Sequence, residues 1–118
     1  MRVEELSRYF PQEDIQQKAK EKTYDIWIGG IQVTGMNAED ILGDGTASYD
    51  RKENVLTLNN VDVEHDGDYG LNVEGDLEIN LIGENSISNQ GVCGIRTSGT
   101  LIIGGTGTLE VFGLDYGI

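Results

Sequence analysis

Residues 55–118 align with themselves at an offset of 24. Leu71 falls on Ile95, Leu77 on Leu101, Ile79 on Ile103, and Val63 on Ile87 and then Val111, while Gly70 falls on Gly94 and Gly75 on Gly99. A fixed spacing of apolar identity constrains the fold more than any short motif, because a unit this small cannot bury its own apolar face and must stack on its neighbours. Each unit holds about three alternating runs separated by glycine or polar corners, "LEINLIG", "NSIS" and "CGIRTSG" in the clearest one. Three short strands per unit predict an all-β body, a short parallel β-helix of about three rungs of 22–24 residues; the same alternation also permits an antiparallel array of hairpins.

The charges follow the same offset. Strands stacked roughly 4.8 Å apart would place equivalent residues close enough for like charges to repel. In the outward positions Ser86 separates Asp62 from Glu110, Glu74 faces Ser98, Asp76 faces Thr100 and Asn72 faces Arg96. "YGLNVEG" (69–75), "CGIRTSG" (93–99) and "YGI" (116–118) then read as one corner of three successive rungs, the last incomplete. An incomplete rung presents unpaired backbone and apolar side chains, so either self-association through the C-terminal β-helix edge or further repeats in the intact protein is expected.

Upstream the pattern differs. Val3, Leu6 and Phe10 recur at helical spacing, Pro11 suits a first helical turn, and Glu13 and Asp14 follow it where a helix dipole favours acids. Residues 1–23 are therefore read as an N-terminal helical cap or linker. Residues 24–118 are read as a hairpin cap, "YDIWIGGIQVTG" and "ASYD…NVLTLNN", followed by the stacked units.

The net charge of −13 sits on this second part, since residues 1–23 carry five acids and five bases, whereas residues 24–118 carry sixteen acids against Arg51, Lys52 and Arg96. Such a surface repels phosphate, which argues against nucleic acid and anionic membrane as partners. No stretch reaches the ~18–20 apolar residues of a membrane span, and residues 1–22 lack a signal peptide's apolar block. One cysteine, Cys93, leaves the redox compartment open.

"YDIWIGGIQVT", "ILGDGTASYD", "NVLTLNN", "GDLEINLIGENSI" and "SGTLIIGGTGTLEV" together resemble the bacterial repeat proteins labelled carbohydrate-binding domain-containing protein, over residues 24–118. The resemblance implies a right-handed parallel β-helix and a secreted or cell-surface location. It carries no sugar-site motif onto numbered residues, and localisation stays unassigned because this chain shows no signal peptide.

Of the residues able to carry chemistry, the run "VDVEHDGDYG" places Asp62, Glu64, Asp66 and Asp68 on a glycine-containing corner, an oxygen-rich set that suits Ca2+, although it lacks the spaced ligands of an EF-hand loop. The chain is otherwise expected to need no cofactor. Trp27, Phe112 and Tyr116 are the aromatics nominated for stacking on a glycan. His65 has no second histidine or cysteine to share a metal, and Cys93 reads as a small buried hydrophobe. Asp62 and Glu64 could be paired as glycosidase carboxylates on spacing alone, which is weak in a chain with 21 acids. The reading is a non-catalytic structural or interaction module, with a polysaccharide-binding module as the alternative and a fragment of a carbohydrate-active enzyme as a distant third.

Overall fold

The computed structural model of the chain describes residues 22–113 and Gly117. Among the described residues there are eleven strands and no helix: β1 (Thr23–Ile28), β2 (Ile31–Thr34), β3 (Ala47–Asp50), β4 (Val55–Asn59), β5 (Asp62–His65), β6 (Tyr69–Val73), β7 (Leu77–Ile82), β8 (Glu84–Asn89), β9 (Cys93–Thr97), β10 (Leu101–Gly105) and β11 (Thr108–Gly113). They form three sheets, in the orders β2-β1-β6-β9, β10-β7-β4-β3 and β11-β8-β5. The helical cap expected over residues 1–23 lies outside the described residues except for its last two, and Thr23 opens β1. No helix among the described residues is long and apolar enough to cross a membrane.

Beyond Val55 the chain pairs in parallel, largely at the spacing visible in the sequence. Leu77 faces Leu101 and Ile79 faces Ile103, Val63 and Val111 both face Ile87, and Leu71 faces Ile95. Before Val55 the pairing is antiparallel: β1 with β2, β1 with β6, and β3 with β4. The uniform right-handed parallel β-helix of about three rungs is therefore corrected to an all-β arrangement of three sheets, two of them mixed. The physical reason is local. Gly29 and Gly30 take φ of 57° and 80°, and Asn54 takes 57°, conformations that reverse the chain tightly, so β1–β2 and β3–β4 are hairpins, and β1 then lies antiparallel on β6 where a uniform parallel helix would need a parallel neighbour.

Alternation does the rest. Every second residue of β4, β6 and β7 turns inward, so Leu56, Leu58, Leu71, Val73 and Ile79 are sealed from solvent with Ile26 and Ile28 of β1 and Ile87 and Ile95 of β8 and β9. Each such Leu or Ile contributes about 1.5–3 kcal/mol by leaving water. Two asparagines of β8, Asn85 and Asn89, interrupt these columns, and the first is bonded through both atoms of its amide. The Oδ1 of buried Asn85 accepts from the Val61 amide (2.8 Å), and its Nδ2 donates to the carbonyls of Ile82 (3.1 Å) and Thr108 (3.2 Å), tying neighbouring segments of the third sheet and its corners together.

Candidate functional site

The residues at the two ends of the stack differ in what covers them. At one end lie β2, β3 and β5, and β5 pairs with β8 alone, so its outer edge has no strand partner among the described residues. Asn37 closes the edge of β2: its Oδ1 accepts from the Thr34 amide (2.8 Å) and its Nδ2 donates to the Gln32 carbonyl (2.9 Å), two backbone groups that β1 does not use. The edge of β3 is met by the preceding loop, with the Tyr49 amide donating to the Ala38 carbonyl (2.7 Å) and the Ile41 amide to the Ala47 carbonyl (2.9 Å). The Gly29–Gly30 turn lies against Val63 and His65 of β5. Val33, Ile41 and Ala47 close the interior here, each at most 4% exposed.

The opposite end is formed by β9, β10 and β11. Gly117 meets β9, its carbonyl accepting from the Ile95 amide (2.8 Å). β10 and β11 each pair with one strand only, β7 and β8, so their outer edges have no strand partner among the described residues. The inward column Leu56–Ile79–Ile103 runs from 0% and 0% exposed to 42%. Leu101, Leu109 and Val111 are only half covered, and Ile102 and Phe112 are 57% and 52% exposed. The sequence is less densely charged here: residues 93–118 carry one base, Arg96, and two acids, Glu110 and Asp115, whereas residues 24–92 carry fourteen acids and two bases. Arg96 is occupied, its Nη1 donating to Asn72 Oδ1 (3.0 Å) and Glu74 Oε1 (2.5 Å), with its guanidinium over the Tyr69 ring.

The nominated aromatics fall in separate places. Trp27 is half-buried on the outward side of β1, level with Gln32 of β2 and Asn72 of β6, and Asn72 is in turn level with Arg96 of β9. One sheet face therefore carries the row Gln32–Trp27–Asn72–Arg96: two amides, an indole and a guanidinium. Phe112 belongs to another sheet, and Tyr116 lies outside the described residues. The acids nominated for Ca2+ do not converge: Asp62, Glu64, Asp66 and Asp68 are all exposed, and among the described residues no three His, Cys, Asp or Glu side chains are grouped to hold a metal. Their strand sends them outward along β5 and round its corner, each to solvent. His65, Glu64, Asp66 and Gln90 instead line a shallow cleft of about 310 Å³. Cys93 is buried, its thiol directed at the Ile95 carbonyl (2.9 Å).

A second aromatic pair was not visible in the sequence reading. Tyr24 and Tyr49 meet at 5.1 Å between ring centroids, tilted by 58°, beside an open cleft of about 690 Å³ that Ser48, Asp50, Lys52 and Thr57 also line. The Tyr49 hydroxyl donates to Asn54 Oδ1 (2.7 Å), and burial, with Tyr24 and Asp50 nearby, pushes its pKa up from the usual phenol value. The alternation of "ASYD" places Tyr49 on the inward parity of Ala47; the contact with Tyr24 depends on two hairpins docking, which no local pattern encodes. No protein-family model, no curated protein and no solved structure is matched by this chain.

Proposed function

We propose that the chain is a non-catalytic interaction module whose working surface is the uncovered end formed by β10 and β11, self-association through that end included. The observation that carries the reading is the Leu56–Ile79–Ile103 column, sealed for two members and 42% exposed at the third. An interior column that surfaces beside two unpaired strand edges offers both terms of strand addition: backbone groups for the ladder and apolar side chains for the pocket. A labelled peptide copying residues 100–107, titrated with the protein and read by fluorescence anisotropy, is expected to bind saturably and to lose binding in the Ile103→Asp variant. Equal binding of a scrambled peptide, or none of either, would sink the reading.

The row Gln32–Trp27–Asn72–Arg96 favours a second reading, a glycan-binding module, because an indole flanked by amides on a flat sheet face matches the apolar face and hydroxyls of a sugar. The resemblance of residues 24–118 to carbohydrate-binding domain-containing proteins points the same way. Calorimetric titration with soluble oligosaccharides should then show heat that disappears in Trp27→Ala, and heat unchanged by that substitution excludes this face.

A further inference from the structure

We infer that the cleft beside Tyr24 and Tyr49 is a binding site for an organic ammonium group, held against the tyrosine rings. The site shares no residue with the β10–β11 end or with the Trp27 row, and neither reading above depends on it.

Three observations carry it. The first is what the two tyrosines offer. Their ring centroids stand 5.1 Å apart and the rings are tilted by 58°, so they form a corner and not a flat platform. The cleft they line, about 690 Å³, falls within the ~300–1,000 Å³ of small-molecule sites. Neither hydroxyl is open to a ligand: that of Tyr49 donates to Asn54 Oδ1 (2.7 Å), and that of Tyr24 is enclosed away from solvent. What remains is ring surface, whose faces carry partial negative charge.

The second is that the chain sets an ammonium of its own against this pair. Lys22 Nζ lies over the Tyr24 ring, 5.7 Å from its centroid, inside the ~6 Å reach of a cation–π contact. The Lys22 carbonyl accepts from the amide of Gly35, a residue of the cleft lining, which puts Lys22 at the rim. Lys22 is exposed, so its ammonium sits on the ring with water as the alternative.

The third is charge, which decides between a cationic and an anionic ligand. Glu39 and Asp50 line the cleft together with Arg51 and Lys52, so the lining cancels locally. The sign of the field is then left to the rest of the body, where residues 24–92 carry fourteen acids and those same two bases. That excess draws cations in and turns anions away. Arg51 and Lys52 are both exposed, and their long stems let the charged heads stay hydrated while a cation meets the rings.

The test is a titration with choline, followed by proton NMR of the Tyr24 and Tyr49 ring signals at ~0.15 M salt, where a Debye length of about 8 Å screens general attraction to an acidic surface. Saturable shifts of both rings are expected. The neutral isostere 3,3-dimethyl-1-butanol, of the same shape without the charge, should bind about fivefold more weakly or worse. Butylammonium, titrated in parallel, tells a primary from a quaternary headgroup, and saturation by either cation meets the expectation. Tyr24→Leu should lose the binding, with far-UV circular dichroism showing whether the variant stays folded; if it does not, the ratio of choline to isostere in the unmutated protein decides alone. No saturation by either cation, equal affinity for the isostere, or a folded Tyr24→Leu variant that binds choline as before each overturns the assignment. So does benzoate shifting the ring signals in place of the cations, which would make Arg51 and Lys52 the binding groups and the ligand an anion.

Discussion

Asn85 stands in a column that would otherwise be apolar, between the layers of Val61 and Leu109, and it is 3% exposed. Its amide is tolerated there because three backbone groups use it. Asn85→Ala leaves the Val61 amide without its acceptor, and a buried unmet donor costs about 1–3 kcal/mol; urea unfolding should read a loss of that size, against a change within about 0.5 kcal/mol for the neighbouring, half-exposed Ser86→Ala. The position was partly legible, since the offset of 24 puts a lone asparagine in line with apolar residues, but the sequence does not say which carbonyls its Nδ2 will reach. Tyr49 offers a second test at this scale. Its pKa is raised in the folded protein, so the folded state holds the phenol proton more tightly than the unfolded one. That contribution to stability is fully present below the unfolded phenol value of about 10 and is lost as pH rises through the higher folded value. Thermal unfolding followed in this alkaline window should show a steeper fall for the unmutated protein than for Tyr49→Phe.

Among the elements, the parallel pairs were the most readable. A strand whose inward residues recur at constant spacing has one register that keeps its apolar face inside, and β7–β10, β8–β11 and β6–β9 adopt that register. The antiparallel pairing of β1 with β6 was not legible, because it joins residues more than forty positions apart with no spacing shared between them. Edge β2 shows how one side chain outside a strand decides an element's behaviour. In Asn37→Ala, the Thr34 amide and the Gln32 carbonyl lose their partners. Hydrogen exchange at Thr34 should then accelerate, global stability should drop by about 0.5–1.5 kcal/mol, and sedimentation should reveal larger species than the unmutated protein forms as this edge opens. Faster exchange without larger species would mean that the loop bonds on β3 suffice to keep β2 and β3 from further pairing.

At the scale of the whole molecule, the sequence showed where the charge lies but not how it is arranged in space. Fourteen acids in residues 24–92 were countable, yet their meaning depends on the less densely charged stretch 93–113 becoming one end of a stack. Trp27 was legible as a candidate because alternation sets it opposite Ile26 and Ile28; its companions Gln32 and Asn72 required the hairpin register and the β1–β6 pairing. The cap over β2 and β3 was not legible, being assembled from Asn37, Ala38 and Ile41 in a stretch without periodicity.

Arg96 reaches across the sheet to Glu74 and Asn72 with its guanidinium over the Tyr69 ring, so the one base of β9 also fastens β6 to it from outside. A tie made of exposed charge loosens with added salt, so the β6–β9 seam is the part of the sheet whose exchange protection should depend most on ionic strength.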